Sequence, residues 1–500
     1  MAPPTGTPCD LLVVGGGING AGIARDAAGR GLSVLLCERD DLAGHTSSAS
    51  TKLIHGGLRY LEHFEFSLVR KALAERETLL AAAPHIMWPL EFVLPHDSHL
   101  RPAWMIRLGL LLYDHLAPRR RLTRSRSVDL RQHPAGLPLQ SRFQRGFVYA
   151  DGWVDDARLV VLNAVGAHEA GARVRTRTAC LSLEPHGDTW VATLRRTDGM
   201  QERVQARAVV NATGPWAGIF RSEVAGIRGA RDLRLIKGSH IVVPTLFDHR
   251  FAYIFQTPDR RIIFAIPFEQ RFTLIGTTDV EFPDAPVAVT ASEAEITYLC
   301  TAASRYFRCP VRRTDVVWTF AGLRPLQKDV IVDPAGVTRD YELELDRRDP
   351  PLLSVIGGKI TTYRRLAEEV VDRIAALLGK RAPGWTAGVP LPGGDLPGGD
   401  FDEYLAQLVA ERPWVDPRML RRMTCAYGRR VERILAGAGS IDSLGREILP
   451  GLRERELEYL RDAEWAQTAE DVLWRRSKLG LHLPPGSESL LDQWINANRG

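Results

Sequence analysis

Gly15, Gly17 and Gly20 have the spacing GxGxxG, directly after the apolar run Leu11-Leu-Val-Val14 and directly before a helix-forming stretch, Ala21 to Arg30. That order supports one kind of chemistry. The first glycine permits a tight turn, the second lets backbone approach a pyrophosphate, and the third allows close helix-to-strand packing. The phosphates of a dinucleotide then face a helix N-terminus, where backbone N–H groups and the helix dipole favour negative charge. A second apolar run, Leu32 to Cys37, delivers Glu38 about twenty residues on, placed to accept hydrogen bonds from an adenosine ribose. Glycine spacing alone is weak evidence. Strand, turn, helix, second strand and terminal acid in register are the fingerprint of a dinucleotide site, with Asn19 inside its turn.

Two later segments repeat the design. Val209-Val-Asn-Ala-Thr213-Gly214 is a strand running into a small-residue turn, and Ser354-Val-Ile-Gly357-Gly358-Lys359-Ile-Thr361-Thr362 is strand, glycines and helix start. Between Glu38 and the next elements, Asp41 to Ser50 is small and rich in hydroxyls, suited to wrapping phosphates. One cofactor threaded by three distant segments calls for a long ligand, and FAD is the expected one. Thr46, Ser47, Ser48, Lys52, Thr213, Gly214, Gly358, Lys359 and Thr361 then join the glycines and Glu38 as cofactor-binding candidates.

These residues resemble the FAD-dependent (aerobic, respiratory) glycerol-3-phosphate dehydrogenases. The matching stretches are Gly15-Gly-Gly-Ile-Asn-Gly20, Thr46-Ser-Ser-Ala-Ser-Thr-Lys-Leu-Ile-His-Gly-Gly-Leu-Arg-Tyr-Leu61, Leu100-Arg-Pro-Ala-Trp-Met105 and Trp153-Val-Asp-Asp156. Further along come Asn211-Ala-Thr-Gly-Pro-Trp216, Ile236-Lys-Gly-Ser-His240, Gly276-Thr-Thr-Asp279, Gly322-Leu-Arg-Pro325, Thr338-Arg-Asp-Tyr341 and Gly357-Gly-Lys-Ile-Thr-Thr-Tyr363. The resemblance implies oxidation of sn-glycerol 3-phosphate to dihydroxyacetone phosphate, with hydride passing from C2 to flavin N5. It also implies quinone as acceptor, a peripheral position on the cytoplasmic face of the cell membrane, and a helical C-terminal cap. A homodimer is compatible with it. The sequence departs from the pattern at Gly44-His45, and His45 is expected at the surface.

A phosphate dianion needs convergent cations, and arginine is favoured for its fork of donors. Arg59, Arg324 and Arg339 lie in matching motifs, and Tyr60 adds a hydroxyl. A group must also take the hydroxyl proton. His55, His240 and Lys359 are the candidates, with Lys359 also placed to stabilise negative charge on a reduced flavin. Arg324 counts among both the catalytic and the substrate-binding candidates. An oxygen-reducing glycerol-3-phosphate oxidase would carry almost the same site. Amine or amino-acid oxidases share the fold but have no need for this many phosphate-capable arginines.

The elements that must hold these residues follow from pattern and composition. The chain has 500 residues, 45% of them hydrophobic and 25% charged, which is ordinary for a multi-domain globular protein. The expected class is α/β: a Rossmann-like FAD-binding domain, an antiparallel β-sheet substrate domain, and an all-helical C-terminal domain. The cofactor segments are expected at about residues 8–65, 145–220 and 335–380, and the substrate segments at 66–144 and 221–334. A Pro/Gly linker then covers 384–400, and the helical cap 401–500. Thr468 to Asp471 reads as a capping box opening a helix. Six scattered cysteines suggest reduced thiols and neither disulfides nor a metal site. No run reaches the roughly 20 apolar residues of a membrane span, and the N-terminus lacks a signal peptide's character. Ala103 to Tyr113 is apolar and is followed by Arg119, Arg120, Arg121, Arg124 and Arg126. Such a pair of features suits either a membrane interface or a buried helix beside a solvated loop. The net charge of +5 carries no nucleic-acid fold signature.

Overall fold

The computed structural model describes residues 8–97, 100–227, 233–259, 261–287, 289–327, 341–346 and 350–498. Strand β1 (Cys9–Val14) is buried along its whole length, and β2 (Val34–Cys37) likewise. Near-continuous apolar runs such as Leu11-Leu-Val-Val14 are what a parallel strand covered on both faces requires. Around β1 the first sheet runs, in spatial order, Glu342–Asp346, Leu352–Ile356, Gln201–Asn211, β1, β2 and Arg173–Arg175. The pairs among Leu352–Ile356, Gln201–Asn211, β1, β2 and Arg173–Arg175 are all parallel. Helix α1 (Ile18–Gly29) connects β1 to β2 and packs against the helices Asp156–Glu169 and Tyr363–Leu377. The three expected cofactor strands therefore sit side by side. Their C-terminal ends carry the three small-residue turns to one edge of the sheet, where open α/β sheets bind ligands.

The second sheet has ten strands and is antiparallel except where Ala252–Gln256 pairs with Met87–Pro95. Its longest ladder joins Leu233–Pro244 to Trp318–Gln327, in register from Leu233 opposite Gln327 to Val242 opposite Trp318. Leu53–Ile54 and Arg145–Val154 hydrogen-bond into this sheet, although both fall inside the segments expected for the cofactor domain. Alternating strand patterns do not say which sheet a strand will join. Those two segments bring the loop after Lys52 against the second sheet.

The C-terminal region is built on the helices Phe401–Glu411, Pro417–Tyr427, Glu454–Glu464 and Ser487–Ala497 around Leu408, Leu420, Met423, Leu457, Leu460 and Leu491. A short hairpin, Glu447–Leu449 with Leu452–Arg453, is added to the expected helices. Thr468 and Asp471 cap each other's backbone N–H groups at 3.1 and 3.2 Å. The Pro/Gly stretch before this region is packed rather than free. Leu391 and Leu396 are buried, and the Leu391 N–H donates to the Ala82 carbonyl at 2.9 Å. All six cysteines are free thiols; three are buried and Cys309 is exposed.

Candidate active site

The cleft begins at the end of β1. Gly15 has φ +111°, and a Cβ there would lie 2.5 Å from the Ala212 carbonyl oxygen; one on Gly20 would lie 1.9 Å from that of Gly15. Only glycine fits either place. Gly17, by contrast, meets just the Ser47 hydroxyl, which leaves open the face that a pyrophosphate would occupy. The Ser47 hydroxyl accepts the Ile18 N–H at 3.0 Å, so the hydroxyl-rich loop closes over the first turn of α1. Thr46 donates to the Leu323 carbonyl at 2.9 Å and ties the same loop to the second sheet. Ser48 donates to the His45 carbonyl at 3.2 Å.

Glu38 is buried at the end of β2 and accepts from the N–H groups of Gly16 at 2.6 Å and Asp40 at 2.8 Å. Burial holds its carboxyl above the usual carboxylate range despite those two donors. Asn19 donates to the Gly357 carbonyl at 3.2 Å, joining α1 to the third glycine turn, while its Oδ1 is buried with no hydrogen-bond partner. An acceptor left unmet at this position suits a bound group with hydroxyls or N–H donors. Val14, Gly15, Glu38, Thr213, Gly214, Gly357 and Gly358 all line one cleft. The residues thus fit FAD: a glycine turn and helix N-terminus for the pyrophosphate, Glu38 for the ribose, and a third glycine turn beyond. His45 is exposed at the cleft rim, paired with Asp40 at 2.8 Å, with its ring against Trp216.

Lys52 stands apart from this group. It is fully buried, has φ +61°, and pairs with Asp156 at 2.6 Å while donating to the Ser48 carbonyl at 3.2 Å. It holds the cofactor loop from behind and does not line the cleft. Asp156, its partner, was not singled out from sequence, because a buried acid and lysine 104 residues apart leave no local signal.

The polar cluster between the two sheets gathers most of the other candidates. His55, Tyr60, Thr277 and Asp279 line one small cavity. The Lys359 ammonium lies 3.9 Å from the centroid of the Tyr60 ring. Thr361 is buried and accepts the His55 N–H at 3.3 Å, so the third glycine turn fixes the His55 loop. Arg324 forms an ion pair with Asp279 and donates to the Thr277 hydroxyl at 3.1 Å. Asp279 and Thr277 are the site residues that the sequence reading missed as individuals, although both lie in a quoted motif. Arg59 is in the short helix Leu58–His63 with its side chain outside the described atoms, and Arg339 lies outside the described residues.

His240 does not line that cavity. It is 1% exposed, its Nε2 is 3.0 Å from the Thr51 hydroxyl, and its ring stacks on Phe320. Burial, with the nearby cations Arg324 and Lys52, holds its pKa far below the ordinary histidine range, so it is neutral at pH 7. Through Nε2 it supports the loop at Thr51, while its Nδ1 is buried with no hydrogen-bond partner among the described residues.

A family model described as FAD dependent oxidoreductase matches residues 10–364, and one described as the C-terminal domain of alpha-glycerophosphate oxidase matches residues 384–496. A glycerol-3-phosphate dehydrogenase of Pseudomonas aeruginosa is 52% identical over 491 residues, covering 98% of this chain and 95% of its own length. A D-erythritol 1-phosphate dehydrogenase of Brucella abortus is 48% identical over 501 residues, covering 100% and 99%. The solved glycerol-3-phosphate dehydrogenase of Bacillus halodurans complexed with FAD has a TM-score of 0.77 at 29% identity, covering 98% of this chain and 89% of that one. With a three-turn cleft that fits FAD, and with likeness to these proteins running from end to end, the chain belongs to the FAD-dependent glycerol-3-phosphate dehydrogenase family.

Proposed function

We infer that this enzyme oxidises the C2 hydroxyl of sn-glycerol 3-phosphate to the ketone of dihydroxyacetone phosphate. The observation that carries the reading is that Asp279 and Thr277, which hold Arg324, line one cavity with His55 and Tyr60, and that Lys359 lies over the Tyr60 ring. Bound FAD supplies the two-electron acceptor for the hydride. Arg324, oriented by Asp279 and Thr277, binds the phosphate together with Arg59 and Arg339. His55 takes the hydroxyl proton, and Tyr60 positions the glycerol backbone. The Lys359 ammonium, held over the Tyr60 ring beside Gly357 and Gly358, supplies positive charge where negative charge develops. Neutral His240 and the buried Lys52–Asp156 pair keep the loop between them in place.

The acceptor in this reading is a membrane quinone. No helix among the described residues is long and apolar enough to cross a membrane. The helix Ala103–His115 is instead anchored by buried Leu110 and Tyr113, and it presents Trp104, Leu108, Leu111 and Leu112 to the outside. Phe64, 77% exposed, adds to the exposed apolar side chains of this domain. Exposed Arg120, Arg121 and Arg124 follow in the chain. An apolar face followed by cations suits the interface of an anionic membrane, reached from the cytoplasmic side. Comparing acceptors tests the reading: with glycerol 3-phosphate, the holoenzyme is expected to reduce a short-chain quinone much faster than it makes hydrogen peroxide from oxygen. Peroxide formation at the quinone rate would make it an oxidase.

The Brucella relative, named as a D-erythritol 1-phosphate dehydrogenase, makes D-erythritol 1-phosphate the second substrate to compare with glycerol 3-phosphate.

A further inference from the structure

His55 sits on a turn that two successive backbone N–H groups hold from different sides. Its own N–H donates to the Thr361 hydroxyl at 3.3 Å, on the cofactor side. The next, that of Gly56, donates to the Tyr113 hydroxyl at 2.9 Å. Tyr113 lies on the buried face of the helix Ala103–His115, packed with Phe92 and Tyr149 of the second sheet. Its hydroxyl proton is committed elsewhere. It is donated to the Asp151 carboxylate, 2.8 and 3.0 Å away, which leaves the oxygen as the acceptor for Gly56. Asp151 is fixed in turn by buried Arg76, which also donates to the Ala150 carbonyl at 3.1 Å. The fit has no slack. A Cβ on Gly56 would lie 2.7 Å from the Tyr113 hydroxyl and 2.4 Å from Leu73 Cδ2, and Gly57 turns at φ +75° against the Tyr60 ring.

We propose that Tyr113, oriented by Asp151 and Arg76, is a positioning residue for the proton acceptor His55. The inference rests on the role given to His55 above. Oxidation at C2 requires the imidazole to meet the substrate hydroxyl while the carbon that bears it faces the cofactor, so the base must keep register with both halves of the site. Thr361 supplies register with the third glycine turn. Tyr113 supplies it with the sheet that carries Arg324. Losing the Tyr113 contact lets the His55 turn drift relative to that sheet. Charge is not the means. Asp151 lines the same cavity as His55, but the Arg76 cation offsets it. Burial, with that carboxylate beside it, holds the Tyr113 phenol well above its ordinary pKa, so Tyr113 is neutral and passes no proton. It acts on the chemistry through the turn.

The test is anaerobic stopped-flow of the FAD-loaded enzyme with sn-glycerol 3-phosphate. It gives the limiting rate of bleaching per bound flavin and, separately, the substrate concentration for half-maximal rate. Tyr113→Phe keeps the ring and deletes the hydroxyl. The expected result is a limiting rate per flavin lower by about tenfold or more, the scale of a small misplacement of a reacting group, with the half-saturating concentration within about threefold of wild type. A merely structural hydroxyl would lower flavin content or thermal stability and leave the rate per bound flavin alone. Should Tyr113→Phe bind too little FAD to measure, Gly56→Ala carries the same expectation, because its methyl displaces the turn from the same hydroxyl. A rate per flavin that falls by less than about tenfold, or a half-saturating concentration that moves by more than about threefold, overturns the positioning role alone. Bleaching at the wild-type rate in His55→Asn overturns the assignment on which that role rests.

Discussion

In the proposed reading, substrate recognition turns on Arg324. Its guanidinium is held from one side by Asp279 and from another by the Thr277 hydroxyl, so it enters the site oriented rather than searching for a pose. Arg324→Ala removes a charge-assisted contact worth about 1.5–3 kcal/mol. The expected outcome is a loss of about 10–150-fold in kcat/KM for glycerol 3-phosphate with FAD retained, measured by steady-state kinetics alongside the flavin spectrum. Much at this scale was legible in the chain. The glycines and Glu38 carry a local pattern, because turn, strand and acid lie close in sequence. Lys52 and His240 show the limit. Each sits in a motif, yet one is held in a buried pair with Asp156 and the other is buried against Thr51 and Phe320. Motif membership does not reveal which way a side chain faces, and partners far off in sequence decide that.

At the scale of elements, the helix Ala103–His115 and the turn that carries His85 are the instructive cases. The apolar run Ala103 to Tyr113 fits a core helix and an interfacial one equally well by composition. Only its packing shows that Trp104, Leu108, Leu111 and Leu112 face outward. Leu108→Glu is expected to weaken binding to anionic lipid vesicles by about tenfold or more, from the loss of roughly 1.5–3 kcal/mol of apolar burial. Activity with a soluble acceptor should stay unchanged; co-sedimentation and a dye assay read the two. The turn between the helix Phe66–Ala82 and the strand Met87–Pro95 carries a different prediction. His85 is fully buried beside Gly428, and burial, with Arg158 nearby, lowers its pKa to about 3. The folded protein then refuses a proton that the unfolded chain accepts near pH 6.5. Its contribution to stability is complete above that pH and falls by up to about 1.4 kcal/mol per unit as pH drops from 6.5 towards 3. In denaturant titrations between pH 6 and 4.5, His85→Leu should therefore flatten the pH dependence by about that slope.

For the whole molecule, the C-terminal domain is wired into the cofactor domain by buried charge. Arg475 and Arg476 both pair with Asp41, in the loop that follows Glu38, and Arg476 also donates to the Glu464 carbonyl at 2.6 Å. Arg158 pairs with Glu464, and Asp471 takes Arg177 and Arg475 at 2.7 and 2.6 Å. Buried pairs like these specify how parts fit more than they add stability, since desolvation offsets most of the attraction. Asp41 and Arg475 are 434 residues apart, which is why the sequence disclosed a separate helical region but not its seat beside the cofactor loop. The interleaving of the two sheets escaped it for the same reason. Joining cofactor cleft, cation site and cap makes one claim about the whole molecule, that FAD and glycerol 3-phosphate meet between the two sheets. The direct test is to record the visible spectrum of the purified protein without oxygen and then add sn-glycerol 3-phosphate. A flavin absorbance that bleaches promptly, and bleaches slowly in Arg324→Ala at the same substrate concentration, is the predicted result. A flavin that stays oxidised in the presence of glycerol 3-phosphate would contradict it.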